Sequence, residues 1–239
     1  MIPYYQDDLT TLYHGSCDEL FPCLGFVDAV VTDPPYGIGE SSKKQTSRGK
    51  LAKVTNYGHF DWDKAAPEPW ILHMFRSRSK TQIIFGGNYF DLPATNCYLI
   101  WDKLNGETDF ADCEIAWTNL PGAIRRLSYR WSGMLQEDMG NKENRLHPTQ
   151  KPVAVMEWCV SFVKDAQLIV DPFAGSGSTL IAARRAGIKN IGIEKDERYC
   201  EIITKTLKGE LDRWEKGGRL KPDADSIAQL PLFNNVETK

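Results

Sequence analysis

Apolar and polar positions along the chain fall into short buried-type runs separated by longer helical periods. Phe26-Val27-Asp28-Ala29-Val30-Val31-Thr32 is almost wholly apolar. It is too short for a helix, so it reads as a strand buried on both faces of a parallel sheet. Thr11–His14, Thr81–Phe85, Cys97–Trp101, Cys113–Trp117, Gln167–Val170 and Lys189–Ile193 are further β-prone runs, each closed by glycine or a polar residue. Helical spacing appears over Pro67–Ser79, through Trp70, Ile71, Met74 and Phe75. Val153, Met156, Val160 and Val163 predict an amphipathic helix over Val153–Lys164. Ser178–Ala186 reads as a helix stopped by Gly187, and Glu197–Lys216 as a long charged one. A short helix over Asp18–Pro22 has Ser16-Cys17-Asp18 as its cap. Strands alternating with helices predict an α/β fold.

Two stretches have no period. Gly37-Ile38-Gly39 and the polar, basic residues after it predict a mobile surface loop over 40–60. Leu120–Leu146 mixes Gly, Pro, Arg and aromatics and reads as an irregular insertion carrying function rather than core. The chain therefore divides into a first half (1–119), an insertion (120–146), a second half of the same domain (147–216) and a flexible tail (217–239). No internal repeat is visible.

The candidate chemistry begins where the Val27–Thr32 strand ends, at Asp33-Pro34-Pro35-Tyr36. Neither proline donates a backbone hydrogen bond, so the ladder stops and the chain leaves the sheet on a stiff path. Asp33 is thereby held at the carboxyl end of a strand, where open α/β sheets place ligands. Asp33 and the Pro34 carbonyl form an acceptor pair, and Tyr36 adds an aromatic face. Together they suit a planar ring with an exocyclic amino group, such as adenine or cytosine. Taken alone, the motif also fits a capped turn with a packed tyrosine.

A second constellation is Asp171-Pro172-Phe173-Ala174-Gly175-Ser176-Gly177-Ser178, with Glu194 closing the next strand. A strand, a Gly-x-Gly turn and a helix N-terminus make a ligand site with exposed amides. Glu194 is placed to hold ribose hydroxyls. There is no Walker lysine, and Leu180 stands where a dinucleotide fingerprint has its third glycine. Asp171 would repel a pyrophosphate and attract a cation such as the sulfonium or ammonium of S-adenosylmethionine.

Composition narrows the class. No apolar run in the 239 residues approaches the ~18 of a membrane span, and the polar start is not a signal peptide. Six cysteines without C-x-x-C spacing argue against zinc, against any other metal centre and against a disulfide framework, and predict a cytoplasmic protein. The net charge is −3, yet bases cluster. Lys43, Lys44, Arg48, Lys50 and Lys53 lie in one acid-free stretch, and Arg125, Arg126 and Arg130 in another. Such patches fit a phosphate backbone, though solvated loops look the same.

Asp33–Tyr36, His147–Pro152, Asp171–Gly177 and Glu194 together resemble the amino-methyltransferases of DNA, in the permuted motif order of the family's β group. The resemblance covers nearly everything from Leu12 to Lys216. It implies a Rossmann-like, S-adenosylmethionine-dependent methyltransferase fold, a circularly permuted, seven-stranded, mostly parallel sheet with one antiparallel strand. Asp33 and Asp171 would lie side by side at its switch point. The implied activity is methylation of a base flipped from double-stranded DNA, often within restriction-modification systems. Asp at the first motif position implies adenine N6, whereas cytosine-N4 enzymes of the family usually carry Ser there. Asp33, Pro34, Pro35 and Tyr36 would be catalytic. Asp33, Asp171, Phe173, Gly175, Gly177, Ser178 and Glu194 would contact the cofactor, with Thr149 and Lys151 holding its carboxylate end or orienting the next helix. Where the family has an acid after the first strand, this chain has Ser16-Cys17; Ser16, or Asp18 by a shift, would take that place. Pro22-Cys23 lacks the surroundings of a carbon-methylating nucleophile, and Cys23 reads as core. The family's target-recognition region corresponds to Leu120–Leu146. Family members are often homodimers.

Three other readings stay open: a cytosine-N4 enzyme, an RNA or small-molecule methyltransferase, and a catalytically lost DNA-binding protein. The tail adds one more feature. Gln229-Leu230-Pro231-Leu232-Phe233 is similar to the bacterial sliding-clamp motif, matched at Gln229, Leu230, Leu232 and Phe233, although an apolar tail also packs back on its own domain.

Overall fold

The structure is a computed structural model in which residues 1–38, 65–106, 111–132, 135–140, 142–143, 146–147 and 149–215 are described. Lys43, Lys44, Arg48, Lys50 and Lys53 lie outside the described residues, as do Gln229, Leu230, Leu232 and Phe233.

The strands are β1 (Tyr5–Gln6), β2 (Thr10–His14), β3 (Val27–Thr32), β4 (Ser79–Phe85), β5 (Tyr98–Asp102), β6 (Cys113–Thr118), β7 (Arg125–Ser128), β8 (Trp131–Ser132), β9 (Leu135–Gln136), β10 (Leu168–Asp171) and β11 (Lys189–Glu194). Nine of them form one sheet in the order β1-β2-β11-β10-β3-β4-β6-β5-β7, and β8 and β9 make a separate ribbon. The expected seven strands are the inner ones, and β6 is their antiparallel member. The sheet is wider than expected because β1 pairs antiparallel to β2 at one edge and β7 pairs parallel to β5 at the other.

Burial follows the pleat. Ala29, Val31, Ile83, Phe85 and Ile169 point to one face, under α3 (Val153–Ser161) and α4 (Ser178–Arg185). Val30, Ile84 and Val170 point to the other, against α1 (Cys17–Leu20) and α2 (Pro69–Ser77). Such two-sided burial explains the continuous apolar runs. The last helix, α5 (Glu197–Glu215), packs Cys200, Ile203 and Leu207 against Leu180 and Ile181.

Four local expectations need correction. α3 is not amphipathic: Val153, Val155, Met156, Trp158, Cys159 and Val160 are all buried, because the helix packs both against the sheet cluster and along α4. Leu120–Leu146 is not an irregular insertion outside the core. It supplies β7, and its Leu127 and Trp131 join the main apolar cluster. Two of the described residues that follow, Gln136 and Glu143, are also tied down. They exchange two side-chain-to-backbone hydrogen bonds, at 2.9 and 2.8 Å, and Glu143 accepts from Val153 N at the start of α3. Ser16 occupies the N-cap of α1 without a capping side-chain bond, and a 3-10 turn over Phe21–Leu24 continues the helix. Cys23 lies in that turn and is exposed, not core; Cys17, in α1, is the buried one of the two.

Among the described residues no helix is long and apolar enough to cross a membrane.

Candidate active site

β3 and β10 are adjacent at the centre, with Ile169 opposite Ala29 and Val170 opposite Val30. From β10 the chain crosses through α4 to β11 on one side; from β3 it crosses through α2 to β4 on the other. The crossovers diverge between the two strands, so a crevice opens at their carboxyl ends. Both candidate motifs end there. Thr32 Oγ1 donates to Asp171 Oδ1 at 2.7 Å and so ties the end of β3 to the end of β10.

The Asp33 turn is dense with charge. Tyr36 Oη donates to Asp33 Oδ1 at 2.6 Å, and Lys151 Nζ donates to Asp33 Oδ2. Lys151 Nζ also meets Glu114 Oε2 at 2.9 Å, and Lys103 Nζ meets Glu114 Oε1 at 2.5 Å. The result is an alternating row, Asp33, Lys151, Glu114, Lys103. Burial pushes the Asp33 carboxyl up, and Lys151 opposes that shift. Burial also works against the Glu114 charge, but Lys151 and Lys103 outweigh it and hold its pKa at about 2. Lys151 is 6 % exposed, and its two carboxylates keep its pKa raised against burial. Removing one member of such a row leaves a buried charge unpaired.

Tyr36 is surrounded by aromatic groups. Tyr89 stacks on it at 4.9 Å with 17° between planes, and Phe90 meets it edge-on at 6.1 Å. Gly86, at φ +75°, lies against the ring; a Cβ there would approach Tyr36 Cε1 to 2.3 Å. Only glycine allows this approach.

The second motif forms the β10–α4 turn. Asp171 is buried, accepts from Thr32 and from Phe173 N, and is pushed up to about 6 by burial. Gly175 takes φ +53°, and a Cβ built on it meets only the Phe173 carbonyl at 3.8 Å, so space is open beside the turn. Glu194 accepts from Gly175 N at 2.7 Å and Asp196 N at 2.8 Å, and burial pushes it up to about 7. Ser178 Oγ donates to the Lys151 carbonyl at 2.7 Å and contacts Ser176 Oγ at 3.2 Å. The Phe173 ring packs edge-on to Phe75 at 6.1 Å.

The remaining candidates divide. Ser16 follows β2, and its hydroxyl donates to Asp18, so the two residues expected as alternatives are joined. Gly15 N bonds the Glu194 carbonyl at 2.9 Å, which brings this segment beside the turn. Cys17 turns its side chain into the apolar cluster with Phe21, and burial raises its thiol to about 12. Thr149 N and Oγ1 each lie 3.2 Å from His147 Nδ1. The Lys151 ammonium is held by Asp33 and Glu114, and its carbonyl accepts from Ser178 at the start of α4.

Arg125 and Arg126 are exposed on β7, and alternation puts them on opposite faces. Arg126 lies 3.8 Å from Asp102. Arg125 pairs with Leu99 at the start of β5, the end of the sheet away from Asp33. Arg130 follows β7 at the Asp33 end and is exposed.

Sequence reading missed Glu114, Lys103 and Tyr89. Glu114 had a signal: one acid in an otherwise apolar strand, Cys113-Glu114-Ile115-Ala116-Trp117. Such a group needs a buried partner.

The family model described as DNA methylase, the N6/N4 methyltransferase family, matches residues 62–205. Type II methyltransferase M2.DpnII of Streptococcus pneumoniae is 29% identical over 159 residues, covering 66% of this chain and 52% of that protein. Type II methyltransferase M.HinfI of Haemophilus influenzae is 29% identical over 281 residues, covering 95% and 73%. The chain spans about half the length of M2.DpnII and of M2.LlaDCHI from Lactococcus lactis. A crystal structure titled as an M1.HpyAVI–SAM complex shares the fold, with a TM-score of 0.50 and 19% identity, over 83% of this chain and 100% of that one. Since the family model matches more than half of the chain, and that crystal structure shares the fold, this protein belongs to the N6/N4 DNA methylase family.

Proposed function

We propose that this protein methylates the exocyclic N6 amino group of an adenine flipped out of duplex DNA, with S-adenosylmethionine as donor. The observation that carries the reading is the Thr32–Asp171 hydrogen bond, which brings the acceptor turn at Asp33 beside the glycine turn at Gly175–Gly177. When bound, S-adenosylmethionine supplies an electrophilic sulfonium methyl group. The residues present fit it: Asp171 is a buried acid suited to a cation, the space beside Gly175 is open, and Glu194 is an acceptor for hydroxyls.

Asp33 and the Pro34 carbonyl accept from the amino group and draw its lone pair out of ring conjugation. Tyr36 stacks on the base in place of Tyr89, worth about 1–3 kcal/mol. Flipping costs a few kcal/mol, returned in part by that stacking. Asp33 favours adenine over cytosine. Lys43, Lys44, Arg48, Lys50, Lys53 and Arg130 contact phosphates or base edges. The chain carries the permuted motif order, and its likeness to Type II methyltransferases supports a restriction-modification setting. The tail motif Gln229-Leu230-Pro231-Leu232-Phe233 docks on a sliding clamp.

The test is nucleoside mass spectrometry of duplex DNA and of RNA incubated with enzyme and S-adenosylmethionine. N6-methyladenine in DNA is the expected product; N4-methylcytosine, or methylated RNA alone, refutes the adenine-DNA reading. Asp33→Ala abolishes the product while cofactor affinity stays within about threefold, since Asp33 acts on the base.

A further inference from the structure

The Tyr36 hydroxyl has one proton and two carboxylates within reach: Asp33 Oδ1 at 2.6 Å and Glu114 Oε2 at 3.3 Å. A hydroxyl donates one hydrogen bond at a time. In this structure the shorter contact is with Asp33, whose other oxygen is held by Lys151. Asp33 is thus a carboxylate with a donor on each oxygen. That lowers its power to accept from an incoming amino group, because each donor already draws charge from the anion.

Glu114 sits where the hydroxyl can go instead. Its Oε2 already receives Lys151 at 2.9 Å, and its Oε1 receives Lys103 at 2.5 Å, so β6 holds the carboxylate fixed beside the catalytic turn. Swinging the hydroxyl from Asp33 to Glu114 is a rotation of a proton between acceptors, with a small shift of the ring. Gly86 and Phe90 border that ring, so it turns within a defined slot once the base has taken the place of Tyr89.

We propose that Glu114 is a positioning residue for methyl transfer: it takes over the Tyr36 hydroxyl when the target base arrives and leaves Asp33 Oδ1 free for the amino group. No covalent bond changes in this exchange; one O–H···O contact replaces another. Lys151 stays between the two carboxylates throughout and favours the ionised form of each. The inference rests on the reading of Asp33 as the acceptor for the target amino group.

A double-mutant cycle on the full-length enzyme tests it. Glu114→Asp keeps the negative charge facing Lys151 and Lys103 but withdraws the acceptor by one methylene. We expect kcat to fall about tenfold, with cofactor Kd and DNA KM within about threefold. Tyr36→Phe retains the ring and removes the hydroxyl. In that background Glu114→Asp should change kcat less than about twofold, because there is no proton left to relocate. Equal losses in both backgrounds overturn the proposal, since a purely structural role for Glu114 does not depend on the hydroxyl. So does an unchanged kcat for Glu114→Asp alone. If Glu114→Asp does not fold, Glu114→Gln is run through the same cycle and judged by the same comparison. Asp33→Ala separates the two readings. Turnover in Asp33→Ala removes the assignment of the acceptor itself; an inactive Asp33→Ala with an additive cycle removes only the role of Glu114.

Discussion

Ser178 Oγ, in the first turn of α4, donates to the backbone carbonyl of Lys151 at 2.7 Å. The same lysine reaches Asp33 and Glu114 with its ammonium. One residue thus has its backbone anchored at the glycine turn and its charge at the acceptor turn. Lys151 joins the halves of the site physically, which its sequence position before α3 does not reveal.

Lys151→Met tests that anchorage. Asp33 and Glu114 would become two buried carboxylates without their shared cation. We expect a stability loss of about 3–5 kcal/mol near neutral pH, read by urea denaturation. The sign of its pH dependence follows from linkage. Without Lys151, burial and repulsion from Glu114 raise the folded-state pKa of Asp33 further above its unfolded value, whereas Lys103 still pairs with Glu114. The deficit is then fully present well above that folded-state value and shrinks as pH falls through it, so it should narrow between pH 8 and pH 5. A pH-independent deficit contradicts the ion-pair account.

Cofactor affinity should depend on pH through Asp171, at about 6, and Glu194, at about 7. Both are raised by burial, so the free protein holds them protonated below those values. A cationic, hydroxyl-bearing ligand favours their ionised forms. Affinity should therefore rise from pH 5 to pH 7 and level off above about 7.5, with up to about tenfold per pH unit for each proton released. Titration calorimetry in buffers of differing ionisation enthalpy measures the proton count. Asp171→Asn should weaken binding and flatten the lower part of the curve; an equally steep curve in that variant removes Asp171 from the site. In the free protein the same groups oppose folding. Their cost is absent below the unfolded values near 4 and grows as pH rises towards 7.

Two of the three arginines of the 120–146 segment should separate. Arg130 lies at the Asp33 end of the sheet and Arg125 about 10 Å back along β7. Arg130→Ala should weaken DNA binding and either relax one base position by about 1–3 kcal/mol or lower the salt slope by about one. Arg125→Ala should change binding less than about twofold in the same fluorescence titration. A larger effect at Arg125 would put the DNA on the far end of the sheet and undo the assignment.

The tail prediction is a direct binding measurement. A peptide spanning 218–239 should bind purified bacterial sliding clamp with Kd near 1 μM, about −8 kcal/mol. Replacing Leu232 and Phe233 by Ala should abolish it. No heat at about 100 μM peptide, or equal binding by the double variant, rules out the motif; a lower melting temperature of the full-length double variant points to packing on the domain.

Strands and helices were legible because burial periodicity is a local signal. Val27–Thr32 is apolar at nearly every position because both of its faces are covered, and its bounds match β3. The Asp-Pro-Pro-Tyr and Gly-x-Gly turns were legible because they rest on backbone chemistry written in adjacent residues. β7 was not legible: Arg125-Arg126-Leu127-Ser128 buries one side chain at a sheet edge, so it carries no apolar alternation to detect. The buried all-round character of α3 was hidden because α4, which packs along it, comes later in the chain. Above all, the Asp33–Lys151–Glu114–Lys103 row joins residues from β3, β6, the end of β5 and the segment before α3. Long-range charge pairing depends on which strands become neighbours, and the crossovers of the sheet set that, not the spacing along the chain.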